Sequence, residues 1–151
     1  MPSAERAFEG SDGLERRKPL PLNRELVGKT YPSVAFVVEA DRVEAFARAV
    51  GHAADGVPPT LVTAPELAAG LSNVLGDEDL GVDLGRVLHG EQRYTWHRAL
   101  AVGETVTASA TIEEIRGRPA LEFLTLRTEI RDASSALVCE GRTTLLQRSE
   151  A

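Results

Sequence analysis

The fold is decided by the stretch TAPELAAGLSNVL, residues 63–75, in which Glu66 is the one charged residue. Thr63 and Glu66 form the T-x-x-E pattern of a helix capping box, and Pro65 lies in the first turn, where its missing N–H costs little. Gly76 is a natural stop, so the pattern predicts a helix from Thr63 to Leu75. Its predicted buried face carries Leu67, Leu71, Val74 and Leu75. Because so few charges would face water, we expect other elements to cover this helix on several sides.

A strand and a second helix are predicted ahead of this stretch. Residues 31–38 (YPSVAFVV) are rich in β-branched side chains and predict a strand. Asp41, with Glu44 three residues later, predicts the capped start of an amphipathic helix. Its apolar face would carry Val43, Phe46, Ala47 and Val50, and Gly51 would end it. Residues 51–59 (GHAADGVPP) have the composition of a loop.

The chain after Gly76 predicts a solvated acidic loop at 77–85, followed only by strands. We expect four strands, at 87–99, 104–115, 120–131 and 136–147, because turn-forming residues separate these segments. Their short connections predict an antiparallel meander. In the third of these strands, Glu122 is the only charge on a face that carries Leu124, Leu126 and Ile130. One face of the sheet is therefore predicted to be buried.

The order of these elements predicts an α+β fold, a single hot-dog domain in which an antiparallel sheet wraps around a central helix. We expect this domain to span residues 26–148. Residues 1–25 contain charges, Gly, Pro and Ser without a sustained hydrophobic period, which is typical of a flexible tail.

Composition narrows the function classes. A chain of 151 residues is long enough for one domain with a real core. The net charge of −6 and the 5% aromatic content argue against nucleic-acid binding, which needs clustered cations or stacking platforms. No run approaches the roughly 20 apolar residues that cross a bilayer, and the N-terminus lacks an apolar signal segment. We therefore expect a cytoplasmic protein without membrane contact. No motif predicts a cofactor or metal site.

Five segments carry a family resemblance, and their order and spacing matter more than any one of them. They are LVGK (26–29), FARAVG (46–51), VPPTL (57–61), LHGEQRYTWHR (88–98) and VGETV (102–106). In these segments the chain resembles the MaoC-like hot-dog dehydratases, most closely their N-terminal (FAS1-like dehydratase) type. That type includes subunits of bacterial (3R)-hydroxyacyl-ACP dehydratases and the N-terminal halves of two-domain enoyl hydratases.

The resemblance implies the reversible hydration of a trans-2-enoyl thioester, with acyl-CoA or acyl-ACP as the partner. In active members an Asp and a His in a G-D-x-N-P-x-H loop move the protons, and the start of the central helix directs a backbone N–H at the thioester oxygen. Thr60, Leu61 and Thr63 are the matching substrate-binding candidates here. Trp96 is a candidate for the wall of an acyl channel.

The sequence departs from the family at the catalytic loop. If Gly51 matches the motif's glycine, His52 stands where the acidic residue belongs, the Asn-Pro pair is absent, and Val57 stands at the position of the histidine. The loop before the two prolines is also shorter. We therefore predict that no residue of this chain is catalytic. His52 and Asp55 are the candidates for a replacement acid/base pair, and their alternative interpretation is a polar surface loop.

The remaining candidates have structural alternatives. His89 and His97 are predicted to share a polar sheet face, or subunit contact, with Glu91, Arg93 and Thr95. Tyr94 and Trp96 would share the other face with Leu88, as core, interface or channel wall. Arg116 and Arg118 lie in a predicted hairpin turn, with a contact to the phosphates of CoA as the alternative. Cys139 is predicted to be a buried structural thiol.

Three functions stay open at this point. The first is a non-catalytic partner that completes an acyl channel beside a catalytic hot-dog chain. The second is a self-sufficient acyl-thioester enzyme, and the third is a non-enzymatic acyl-CoA or acyl-ACP binding module. We expect a dimer, either a homodimer or a heterodimer with a catalytic hot-dog chain, and the strand that contains Trp96 is the predicted contact region.

Overall fold

A computed structural model describes residues 21–53 and 55–148, and the prediction for residues 1–20 lies outside this described part. The sheet contains β1 (Val34–Val37), β2 (Val87–Trp96), β3 (Thr105–Arg118), β4 (Leu121–Arg131) and β5 (Leu137–Gln147). The helices are α1 (Ala40–Val50) and α2 (Thr63–Ala69), and a π-helical turn continues α2 over Gly70–Val74. Short 3-10 turns occupy Arg24–Leu26, Pro59–Val62, Glu78–Leu80 and Leu84–Arg86. None of the described helices is long and apolar enough to span a membrane.

The five strands form one antiparallel sheet in the order β1-β3-β4-β5-β2, and α2 packs on β1, β3 and β4. The predicted sheet around a central helix is confirmed. The predicted meander is correct only for β3, β4 and β5, since β2 pairs with β5 and not with β3. The connection from β2 to β3 instead crosses the end of the sheet. Arg98 holds it there by donating to Glu104 Oε2 at 2.7 Å and to Asp132 Oδ2, in the β4–β5 turn, at 3.1 Å.

The buried face of the central helix differs from the predicted one. Ala69 and Val74 are fully buried, whereas Leu67 and Leu71 are each 51% exposed. The helix therefore turns a different stripe toward the sheet, and Glu66, at 6% exposure, belongs to that stripe. A charged residue can occupy it because hydrogen-bond donors of the sheet meet its carboxylate.

Both predicted helix caps were wrong in detail. The N-cap of α1 is Glu39, so Asp41 lies inside the first turn, where a negative charge still suits the helix dipole. At α2 the 3-10 turn Pro59–Val62 runs directly into the helix, and the Thr63 hydroxyl donates to Thr60 O at 2.9 Å. Thr63 and Glu66 therefore do not form a capping box. Gly51 ends α1 in the left-handed conformation (φ 70°), as predicted.

The packed domain begins earlier than the predicted boundary at residue 26. Leu22 is 3% exposed, and its N–H donates to Glu122 Oε2 at 2.9 Å. Glu122, itself 1% exposed, is thereby satisfied on an otherwise apolar face. The acidic loop at 77–85 is likewise less solvated than predicted, because Leu80 is fully buried and Asp77 accepts hydrogen bonds from Lys29 and Tyr31.

Candidate ligand-binding site

A cavity of about 320 Å³ lies between the central helix and the sheet. Its wall is mostly apolar and includes Leu67, Leu71, Leu75, Leu84, Leu126 and Leu145. Leu67 and Leu71, the helix residues that were predicted to be core, form part of this wall. Five polar side chains also line the cavity, namely Glu66, His89, Gln92, Thr128 and Thr143. The cavity therefore combines apolar walls with a small polar cluster, which is the usual make-up of a small-molecule site.

The polar cluster is centred on the Glu66 carboxylate. Gln92 Nε2 donates to Glu66 Oε1 at 2.9 Å, and the Thr143 hydroxyl lies 3.1 Å from the same oxygen. The Tyr94 hydroxyl donates a hydrogen bond to Glu66 Oε2. The carboxylate forms no ion pair within the described residues, so neutral donors alone replace the water that it loses on burial.

Gly141 makes room for this carboxylate on β5. A Cβ atom at position 141 would lie 2.4 Å from Glu66 Oε1 and 3.3 Å from Tyr94 Cε1. The approach of Glu66 to the sheet therefore depends on a residue without a side chain. Neither Glu66 nor Gly141 was assigned this role from the sequence. The available signal was a lone charge in an otherwise uncharged helix, which was interpreted as a cap.

His89 reaches the cavity because β2 contains an irregularity. The pairing of β2 with β5 shifts between His89 and Glu91, so the simple alternation used for the sequence prediction fails there. His89 consequently lies on the cavity face of the sheet with Gln92, and not on the face that carries Glu91 and Arg93. For the same reason Leu88 does not share the face of Tyr94, and its side chain is 60% exposed. Gln92 Oε1 accepts from the Thr143 hydroxyl at 2.8 Å and from His89 Nε2 at 3.1 Å, which fixes the His89 proton on Nε2.

Burial perturbs two further groups beside Glu66. Desolvation, together with the hydrogen bond and the charge of Glu66, holds the pKa of the Tyr94 phenol well above its usual range. Burial also raises the pKa of the Cys139 thiol to about 11, and the charges of Glu66 and Glu140 add to this effect. Cys139 is fully buried, as predicted, and its neutral form is the stable one.

The predicted acid/base candidates lie in the loop after α1, where Ala54 is outside the described residues. His52 is half-buried, and its backbone N–H donates to Ala47 O at 2.8 Å. Asp55 is exposed. Within the described part of the chain, no hydrogen bond joins the two side chains. The structure does not bring them to the polar cluster around Glu66.

The predicted substrate-binding residues flank the start of the central helix. Thr60 is exposed, Thr63 is half-buried, and Leu61 is a core residue at 1% exposure. Trp96, at 43% exposure, lines a second cavity of about 290 Å³ with Val57, Pro58, Pro59, Ala99 and Leu100. The Trp96 and Tyr94 ring centroids are 5.1 Å apart, so the indole that lines this second cavity lies beside the phenol that donates to Glu66. The substrate-binding role of these residues stays a prediction.

Two other predictions concern charged groups. Arg116 lies over the Phe123 ring at 4.2 Å and 3.4 Å from Glu114, as part of the β3–β4 hairpin. Among the described residues, no group of three or more His, Cys, Asp or Glu side chains is arranged to hold a metal ion.

Comparison with known proteins places the chain in a family. Residues 44–141 match the model of the "FAS1-like, dehydratase domain region". A UPF0336 protein of Parafrankia sp. (strain EAN1pec) is 35% identical over 87% of this chain and 98% of its own length. The C-terminally truncated HadBC (3R-hydroxyacyl-ACP dehydratase) complex of Mycobacterium tuberculosis superposes with a TM-score of 0.64 at 25% identity, over 80% of this chain and 96% of that one. The MaoC-like dehydratase from Rhodospirillum rubrum gives a TM-score of 0.60 at 14% identity, over 83% and 94% of the two chains. The chain belongs to the FAS1-like dehydratase family and is a MaoC-like hot-dog protein.

Proposed function

We propose that the chain is a cytoplasmic, non-catalytic subunit of an (R)-specific enoyl-thioester hydratase or 3-hydroxyacyl dehydratase. It pairs with a second hot-dog chain that carries the Asp/His loop, and its apolar cavity forms part of the channel for the acyl chain. This proposal rests mainly on one contrast. The chain matches the family over residues 44–141, but the acid/base candidates in its loop after α1 are His52 and Asp55, whose side chains form no hydrogen bond with each other within the described residues.

The loop after α1 does not supply the acid/base pair that proton transfer needs. Hydration of an enoyl thioester needs a base for water and an acid for the α-carbon, both within hydrogen-bond reach of the substrate. Asp55 is exposed and His52 is half-buried without a hydrogen bond to orient it for Asp55. The family resemblance implies that the start of the central helix directs a backbone N–H at the thioester oxygen. The chain therefore retains binding features without an assembled acid/base pair.

The surface supports a partner along β2. Within the described sheet β2 is an edge strand, because it pairs with β5 alone. An unpaired edge of ten residues offers free N–H and C=O groups to a second strand. Trp96 near its end and Leu88 on its outer face are both substantially exposed, and large apolar side chains of this kind suit the centre of an interface. A second hot-dog chain that adds its own strand there would extend the sheet.

The test is co-purification of the tagged full-length chain from its native host, followed by a crotonyl-CoA hydration assay on the complex. We expect a second hot-dog chain with an intact Asp/His loop, and hydration that survives His52→Ala and Asp55→Ala in this chain. Substitution of the partner's Asp or His, as the matched control, should abolish hydration.

The other two functions correspond to different results. Hydration by the isolated chain that is lost with His52→Ala or Asp55→Ala would make the loop an active site and refute the proposal. Acyl-CoA or acyl-ACP binding without any hydratase partner would identify the chain as a binding module.

A further inference from the structure

We propose that the Glu66 carboxylate recognises a hydroxyl group on an aliphatic chain bound in the 320 Å³ cavity, so that this cavity selects hydroxylated chains over plain ones. This inference deepens the proposed acyl-channel role, but it concerns ligand binding by the chain itself and does not require a catalytic partner.

The carboxylate has unused acceptor capacity. An ionised carboxylate offers about four lone-pair sites. Among the residues that the structure describes, at most three donors reach Glu66, from Gln92, Tyr94 and Thr143. The Thr143 hydroxyl has a single proton, and it lies closer to Gln92 Oε1 (2.8 Å) than to Glu66 Oε1 (3.1 Å). At least one acceptor site of a side chain that is 94% buried therefore remains for a further donor, and Glu66 borders the cavity.

The surroundings define what kind of group supplies that donor. Six leucines in the cavity wall favour an aliphatic chain. A ligand with a carboxylate head group is disfavoured, because its negative charge and that of Glu66 would repel each other at hydrogen-bond distance in a poorly solvated site. An ammonium group would bring three donors to one or two acceptor sites and would lose its hydration among apolar side chains.

A hydroxyl group fits the remaining positions. Its O–H donates one hydrogen bond, which Glu66 can accept, and its oxygen can in turn accept a hydrogen bond. Gln92 has two amide N–H groups, and one of them is used for Glu66. The second N–H donates to no other group in the described part of the chain, so a hydroxyl oxygen bound next to Glu66 can accept from it. A hydrogen bond to a charged acceptor is also stronger than one between neutral groups, so the hydroxyl adds selectivity to the apolar contacts.

The experiment compares three probes of similar size on the full-length chain: n-octanol, heptyl methyl ether, which accepts but cannot donate, and n-octylamine. Binding is followed by the fluorescence of Trp96, the single tryptophan, whose ring lies 5.1 Å from that of Tyr94. We expect n-octanol to bind about tenfold more tightly than the ether, the usual scale for a hydrogen bond to a charged group. The amine should not bind more tightly than n-octanol.

Variants separate the carboxylate from the apolar wall. Glu66→Leu should reduce the preference for n-octanol over the ether to about onefold. If Glu66→Leu does not fold, Glu66→Gln should reduce the preference to a few-fold, because its amide oxygen is a neutral acceptor. Leu71→Ala is the matched control, since Leu71 lines the cavity and is exposed. It should weaken both probes and leave their ratio unchanged.

Several results would overturn the inference. These are equal binding of n-octanol and the ether to the unmodified chain, an unchanged ratio in the Glu66 variants, or absence of binding by all probes. Tighter binding of n-octylamine would instead identify a cation site and would also overturn it. None of these results bears on co-purification with a catalytic chain, so the two proposals fail independently.

Discussion

Tyr94→Phe removes a single hydroxyl from the polar cluster around the buried Glu66 carboxylate. Tyr94 donates to Glu66 Oε2, and Glu66 is 6% exposed with no ion pair among the described residues. A hydrogen bond to a charged group contributes about 1.5–3 kcal/mol to stability. We therefore expect the variant to lose about 2 kcal/mol of unfolding free energy at pH 7.

The same substitution changes the dependence of stability on pH. The pKa of the Tyr94 phenol is raised in the folded chain, while in the unfolded chain it is about 10. Above pH 10 the unfolded state loses this proton and the folded state keeps it, so stability falls by about 1.4 kcal/mol per pH unit for this group. The Tyr94→Phe variant has no phenol to ionise at this position, so the stability of the variant does not fall for this reason. The difference in unfolding free energy between the unmodified chain and the variant should therefore shrink from about 2 kcal/mol at pH 7 to about 0.6 kcal/mol at pH 11.

Urea unfolding at pH 7 and pH 11, followed by circular dichroism, measures both quantities. Tyr31→Phe is the matched control, because Tyr31 also donates to a carboxylate, Asp77, at 2.6 Å. Asp77 keeps its ion pair with Lys29 at 2.5 Å, so this control should cost about 1 kcal/mol or less at pH 7. A loss for Tyr94→Phe below about 0.5 kcal/mol at pH 7, or one that does not shrink at pH 11, would mean that the Tyr94 hydroxyl does not stabilise the Glu66 carboxylate.

Three further predictions concern the scaffold. Gly117→Ala should lower the unfolding free energy by more than about 2 kcal/mol, because the backbone there has φ 102° and a Cβ atom would lie 2.4 Å from a backbone oxygen. Gly103→Ala is the control, since φ is 87° but no atom lies within 4 Å of the new Cβ, and it should cost about 1 kcal/mol. Equal losses of stability in thermal melts of the two variants would contradict this prediction. Glu122→Ala should cost about 1–3 kcal/mol in urea unfolding, because it orphans the buried N–H of Leu22, and a loss near zero would mean that residues 21–25 do not pack. Cys139 should resist iodoacetamide at pH 8 until urea unfolds the chain, since its pKa is raised to about 11, and rapid labelling of the native protein would show that the thiol is accessible.

The overall architecture was predictable from the sequence because it depends on patterns that local chemistry determines. The four C-terminal strands were placed within a few residues, since turn-forming segments bound them. The scarcity of charge between residues 63 and 75, where Glu66 alone is charged, correctly indicated a helix covered by the sheet. The strand order was not predictable in the same way, because β2 pairs with β5, about 50 residues further along the chain, and no local pattern encodes that pairing.

The polar cluster was not predicted, because it joins three distant segments. Glu66, Gln92 and Thr143 meet only after α2, β2 and β5 have packed together. The T-x-x-E spacing of Thr63 and Glu66 is also compatible with a capping box, so this motif favoured the wrong role for Glu66. His89 was assigned to the opposite sheet face because an alternation rule cannot anticipate the register shift that follows it.

The most direct test is the rate of crotonyl-CoA hydration by the purified chain alone, measured beside a blank without protein. We predict a rate equal to the blank, because the loop after α1 supplies no paired acid and base, and such pairs contribute about a hundred- to ten-thousand-fold to catalysis. A rate well above the blank that falls to the blank with His52→Ala or Asp55→Ala would show that this chain is itself a hydratase.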